Sequence, residues 1–271
     1  MKHIIYHENN LKYPYLPQED YYAHSQDNGV YIVSDGVTHD AKDLSKYPVP
    51  SEAYEVARII CDAVVENLNE KNHSIDSLKD AYKLANQKVL EFNLSSDLYK
   101  DRKINGFTIG AATTSAVWIK DYKLIYGVLD DCFVSVFNKN LEMYPKLEKY
   151  VEISAEYLDK NFDWSDIETR RHWREDIRNH VIKVGDKEYG YGVIDGRDGF
   201  DKFLQLGEID LEKGDLVCVY SDGFINLINN KNFIKEIKDQ EFTNNTYKYI
   251  SKMSSDLKQE KEKTCYFIKI D

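Results

Sequence analysis

A chain of 271 residues with 42% apolar residues and 21 tyrosines has the material for one large core. Its formal charge of −11 weighs against nucleic acid or an anionic membrane as a general partner and suits divalent cations. No leader-like segment opens the chain, no apolar run nears the roughly 18 residues that span a bilayer, and no linker or repeat divides it. The expectation is one domain over 1–271. Cys61, Cys132, Cys218 and Cys265 lack C-x-x-C spacing and lie in apolar runs or on a helix, as reduced core thiols of a cytoplasmic protein.

His3 to Tyr6 reads as a first strand. Pro14 to Asp20 is broken by two prolines and closes on Gln18-Glu19-Asp20. Tyr21 to Ser25 leads into the run Val30 to Val33, and Asn28-Gly29 between them marks a hairpin turn. That second run ends on Ser34-Asp35-Gly36, which displays a carboxylate at a sheet rim, a good place to hold a cation. Residues 40–51 read as loop, after which Ser51 caps a helix striped by Val56, Ile60, Val64 and Leu68. A second helix runs from about Ser74 to Phe92, with Leu78, Tyr82, Ala85 and Val89 on one face.

Thr108 to Ile119, Lys123 to Leu129 and Cys132 to Phe137 read as strands, and the short links through Lys120-Asp121-Tyr122 and Asp130-Asp131 predict antiparallel pairing. About 140–200 is a variable insertion. Within it Trp164 to His180 is helix-like and basic (Arg170, Arg171, Arg174, Arg178), and Tyr189-Gly190-Tyr191-Gly192 is loop. Phe203 to Leu206 and Leu216 to Tyr220 read as a strand pair around Glu212-Lys213-Gly214-Asp215. Helices follow Asp222-Gly223 and cover 243–256, and Cys265 to Ile270 closes the chain as a strand. Strands in meander order with paired helices predict an α+β fold of layered antiparallel sheets. No G-x-G-x-x-G or G-x-x-x-x-G-K-[ST] loop is present.

The second Ser-Asp-Gly, Ser221-Asp222-Gly223, also ends an apolar strand. Either Asp-Gly alone is an ordinary turn. Two strand ends of the same form suggest one shared acidic metal site.

In this order the motifs resemble the metal-dependent Ser/Thr protein phosphatases of the PPM (type 2C) family in its bacterial form. The resemblance runs through Gln18-Glu19-Asp20, Ser34-Asp35-Gly36, Gly110-Ala111-Ala112-Thr113-Thr114, Leu129-Asp130-Asp131-Cys132, Tyr189-Gly190-Tyr191-Gly192-Val193, Ser221-Asp222-Gly223-Phe224 and Lys261-Glu262-Lys263-Thr264. It implies a four-layer α-β-β-α sandwich that hydrolyses phosphoserine or phosphothreonine in a phosphoprotein with metal-activated water. Two Mn²⁺ or Mg²⁺ ions, with a possible third, are the implied cofactors. Asp35 would bridge both ions, the Gly36 carbonyl would bind one and Asp222 the other. Asp20 and Glu19 would act at the first ion's water shell, and Asp131 would hold a third ion. Carboxylates, a carbonyl and water are the hard ligands that suit these ions.

Departures fall in the site. Val37-Thr38-His39 stands where the family has glycines, and His39 is either a general acid or an exposed loop histidine. Tyr15 replaces the phosphate-gripping arginine; Arg170, Arg171, Arg174 or Arg178 either substitutes for it or forms a solvated helix face. Lys261 occupies the terminal aspartate's place, with Glu262 as the substitute ligand, although strand alternation puts Glu260 and Glu262 on the face opposite Lys261. The ammonium is a candidate stand-in for part of a cation. These departures keep open an alternative, a weak or inactive pseudophosphatase acting as a binding module. Hydrolysis of a phosphodiester or nucleotide ranks below both.

Overall fold

The computed structural model describes residues 1–11, 16–38, 47, 49, 51–68, 71–96, 109–158, 166–258 and 260–271. In chain order the strands are β1 (Lys2–Glu8), β2 (Asp20–Ser25), β3 (Val30–Gly36), β4 (Ala112–Lys120), β5 (Lys123–Leu129) and β6 (Cys132–Phe137). They continue with β7 (Met143–Tyr144), β8 (Ile182–Val184), β9 (Lys187–Tyr189), β10 (Gln205–Asp210), β11 (Leu216–Ser221) and β12 (Lys263–Lys269). The helices are α1 (Glu52–Leu68), α2 (Ile75–Ser95), α3 (Tyr150–Leu158), α4 (Ile167–His172), α5 (Ile225–Ile228), α6 (Lys231–Asp239) and α7 (Asn244–Asp256).

Two five-stranded sheets form, in the orders β10-β5-β4-β3-β2 and β1-β12-β11-β6-β7, with every pairing antiparallel. Strand alternation assigns the layers. Tyr31 and Val33 of β3 face inward and meet Val217, Val219 and Tyr266 of the other sheet. Ile32, between them, faces outward onto the stripe Val56, Ile60 and Val64 of α1 and Tyr82 of α2. On the opposite outer face Phe233, Ile237 and Ile250 of α6 and α7 cover Cys218, Cys265 and Phe267. The result is the expected α-β-β-α sandwich. The first long helix starts where its cap predicts, with Ser51 Oγ accepting from Tyr54 N at 3.0 Å, and the second proves to be capped as well, with Ser74 Oγ accepting from Ser77 N at 3.2 Å. All four cysteines are free and buried. Among the described residues no helix is long and apolar enough to cross a membrane.

Two pairings differ from expectation. β5 and β6 do not form a hairpin. β5 lies between β10 and β4 in one sheet and β6 lies beside β11 in the other, so Asp130-Asp131 steps between layers, with Asp130 at φ 57°. Nor do β10 and β11 pair, since they too belong to different sheets. A short link forces antiparallel pairing only when both strands lie in one sheet; at the end of a sandwich the same length crosses from sheet to sheet. The basic segment also departs from a solvated helix. After α4 comes a π-helical turn, Trp173–Ile177, and Arg178 beyond it is fully buried.

Candidate metal centre

The β2–β3 register sets Asp20 opposite Asp35, so the first residue of one strand and the penultimate residue of the next share one rim. The second sheet delivers its own groups to that rim. Ser221, the last residue of β11, donates through Oγ to Asp20 Oδ2 at 2.8 Å, and Thr264 Oγ1 donates to the same oxygen at 2.7 Å. Thr264 is steadied in turn: its N donates to Ser221 Oγ at 3.1 Å, and His7 Nδ1 lies 2.8 Å from its Oγ1. Three distant segments therefore fix one carboxylate that is fully buried.

Asp20, Asp35 and Glu262 each offer a carboxylate oxygen within 4.8 Å of the others. Glu262 Oε2 is held by the backbone N of Glu19 at 2.9 Å. Asp20 Oδ1, in contrast, is buried with no hydrogen-bond partner among the described residues. A buried acceptor left unpartnered costs stability unless something else fills it. Glu19 is occupied differently. Its carboxylate accepts from Thr38 Oγ1 at 2.7 Å and Tyr47 OH at 2.6 Å, and so ties loops to the rim.

Both Ser-Asp-Gly glycines are places of close approach. A Cβ on Gly36 would sit 2.8 Å from the Ala53 carbonyl carbon and oxygen and 2.9 Å from the Glu19 oxygen. One on Gly223 would sit 2.1 Å from the Glu262 carbonyl oxygen. Only bare backbone lets the 260–263 segment pass the end of β11.

Asp222 lies just beyond β11 in a 3₁₀ turn and is outside the close trio. Its Oδ2 is 2.5 Å from Lys261 Nζ. Asp131, at the crossing from β5 to β6, feels both the Asp222 carboxylate and the Lys261 ammonium.

Crowding of acids in a dry rim raises their pKa values. Burial pushes Asp20 up to about 7 despite the hydroxyl bonds from Thr264 and Ser221, with Asp222 and Glu19 adding to the rise. Burial and Asp20 push Glu262 up to about 8. Burial, then Asp20, Asp222 and Glu262, hold Asp35 well above the carboxylate range. Asp131 rises to about 6 through burial and Asp222. Burial works against the Lys261 charge, but Asp222 outweighs it and the ammonium is held above its usual value. Four acids kept from ionising fully are an arrangement that a divalent cation relieves. The all-oxygen donor set and the unpartnered Asp20 Oδ1 fit a hard ion such as Mg²⁺ or Mn²⁺.

Of the residues predicted for the site, Asp20, Asp35 and Glu262 converge, Gly36 adjoins them, and Asp222 and Asp131 flank them around Lys261. His39 and Tyr15 lie outside the described residues. Sequence reasoning missed the roles of Ser221, Thr264 and His7. The serine before each Asp-Gly was a visible signal for the first of these.

Fold and site define a double-sheet sandwich whose shared rim gathers carboxylates, a donor set that fits hard divalent cations. The profile of the protein phosphatase 2C family matches residues 14–260, and the chain belongs to that family. No curated protein matches the sequence significantly. Among solved structures, the Mycobacterium tuberculosis serine/threonine phosphatase PstP/Ppp superposes with a TM-score of 0.66 at 9% identity, covering 100% of this chain and 98% of its own. The PstP catalytic domain in complex with two manganese ions gives the same TM-score of 0.66, identity of 9% and coverages of 100% and 98%. The S. agalactiae serine/threonine phosphatase gives 0.65 at 13% identity, covering 100% and 99%. At such identities the likeness is one of fold.

Proposed function

We propose that this chain is a cytoplasmic, metal-dependent phosphatase of phosphoserine and phosphothreonine in proteins, acting as one domain with 140–200 beside the site. The observation that carries this reading is the trio Asp20, Asp35 and Glu262 with the unpartnered Asp20 Oδ1, in a chain of the protein phosphatase 2C family. The relation to PstP, solved with two manganese ions, supports the choice of metal. Asp20, Asp35, Glu262 and the Gly36 carbonyl are the groups that would hold an ion, with Asp222 and Asp131 on the flank. A divalent ion held there supplies Lewis acidity, which acidifies water and offsets phosphate charge.

The chain's own groups organise the rest. Ser221 and Thr264 hold Asp20 Oδ2 and thereby aim Oδ1. The Glu19 amide orients Glu262. Lys261 adds positive charge at the exposed side of Asp222, where a phosphate dianion would approach. The test is Mn²⁺-dependent hydrolysis of p-nitrophenyl phosphate and a phosphothreonine peptide. Turnover by wild type that is lost in Asp35→Ala and Glu262→Gln supports the proposal; wild type no faster than these variants, with metal loaded, overturns it.

The Lys261–Asp222 ion pair favours a second reading, a pseudophosphatase that binds phosphoprotein without turnover. Phosphopeptide binding with no metal-dependent turnover would select it.

A further inference from the structure

The carboxylates at the rim fall into two groups that are satisfied in different ways. Asp20, Asp35 and Glu262 crowd within 4.8 Å of one another, and among the described residues no cationic side chain pairs with them. Asp20 itself is fully buried, its Oδ2 clamped by two hydroxyls and its Oδ1 unpartnered. Asp222 instead already has a cation, with Lys261 Nζ 2.5 Å from its Oδ2.

The local chain explains how one dipeptide serves both groups. β12 begins at Lys263, which is buried and paired with Glu8 at 2.8 Å on the side away from the rim. Thr264 faces Asp20, and Glu262, two residues earlier, faces the same way. Lys261 precedes the strand, and its four-carbon stem carries the ammonium around to Asp222. Its side chain is 72% exposed, so the head is accessible from solvent and has donors beyond the one spent on Asp222.

We propose that Lys261 is a built-in cation in place of a second divalent ion: the chain binds one divalent ion, on Asp20, Asp35 and Glu262, beside a fixed ammonium on Asp222. This rests on the metal-dependent reading above and narrows it. A second ion on Asp222 would have to displace a tethered positive charge from its carboxylate and then sit beside it. The ammonium costs no ion and stays with the chain under metal starvation. Its remaining N–H groups point-charge a phosphate oxygen without requiring fixed geometry.

The experiment is calorimetric titration of the full chain, stripped with EDTA, using MnCl₂ alone. Wild type is expected to show a single site. Glu262→Gln should weaken that site about tenfold or more, while Asp222→Asn should leave its affinity within about threefold, because Asp222 is spent on Lys261. Lys261→Asp should convert the isotherm to two sites. Two sites in wild type would overturn this inference and leave the phosphatase reading standing. No binding at all in wild type would overturn both. Lys261→Asp that is folded by circular dichroism yet still shows one site would overturn the inference. Should that variant not fold, the Asp222→Asn arm decides: loss of the single site refutes the proposal, and retention supports it.

Discussion

Asp20→Asn should make the metal-free protein more stable and the metal-loaded one less so. The substitution keeps an oxygen to accept from Ser221 and Thr264 and puts an amide where Oδ1 has no partner. With its pKa raised from 3.8 to about 7, Asp20 destabilises the metal-free fold by about 4 kcal/mol near pH 8 and about 2 kcal/mol near pH 5, at ~1.4 kcal/mol per pK unit. The folded value lies above the unfolded one. The cost is therefore absent below about pH 4 and grows until the pH has passed about 7. An unpartnered buried amide gives back about 2 kcal/mol at any pH. The net expectation is a gain of about 2 kcal/mol near pH 8 that vanishes near pH 5. Urea denaturation in EDTA at the two pH values measures it. With Mn²⁺ at a hundredfold its Kd, wild type should gain about 3 kcal/mol that the variant largely lacks. A variant no more stable than wild type in EDTA near pH 8, or a gain equal at both pH values, would refute the reasoning.

Mn²⁺ affinity should rise from about pH 6 to about pH 8, because binding needs Asp20 and Glu262 ionised and these sit at about 7 and about 8; calorimetry in buffers of different ionisation enthalpy would register the released protons. Gly223→Ala should cost roughly 2 kcal/mol or more and weaken metal binding as well, since the new methyl must push Glu262 aside; urea midpoints with and without Mn²⁺ separate the two effects. Arg178 is fully buried 3.6 Å from Asp195, and the Asp195 charge and the Tyr191 hydroxyl hold it at separations too long for close hydrogen bonds. Asp195 is also bound by Arg197 at 2.8 Å and Asn179 at 3.0 Å. Arg178→Met should therefore stay within about 1 kcal/mol of wild type, whereas Asp195→Ala, which strands the buried guanidinium, should cost roughly 3 kcal/mol in the same measurement.

Much of the rim was legible because each signal was local. Apolar runs closing on Ser-Asp-Gly located the ends of β3 and β11, and Asn28-Gly29 fixed the hairpin that sets Asp20 against Asp35. The Ser51 cap and an apolar stripe located α1, and an apolar stripe alone located α2. What stayed hidden depended on which layer a strand joins. Nothing in the Asp130-Asp131 or Glu212-Lys213-Gly214-Asp215 links distinguishes a hairpin from a step between stacked sheets. His7 reaches Thr264, and through it Asp20, only because β1 pairs with β12.

The Lys261-Glu262 pair is the instructive case. Alternation rightly separates the two side chains, but it says nothing of where a long stem ends once the chain leaves the ladder. The ladder's last pair is Glu8 with Lys263, so residue 261 is free of the pleat. Gly223 lets that segment press against the end of β11, and this brings Asp222 within reach of the ammonium. A lysine in an aspartate's place thus reads as a loss in sequence and as a charge-for-charge exchange in the fold. On the inference above, one covalently attached positive charge, with one carboxylate fewer beside it, would balance Asp222 as a divalent ion shared by two carboxylates would, and Asp222 is the acid that the close trio leaves out. If the ammonium serves in this way the site balances its charge with one ion fewer, so metal stoichiometry decides between the readings of this centre.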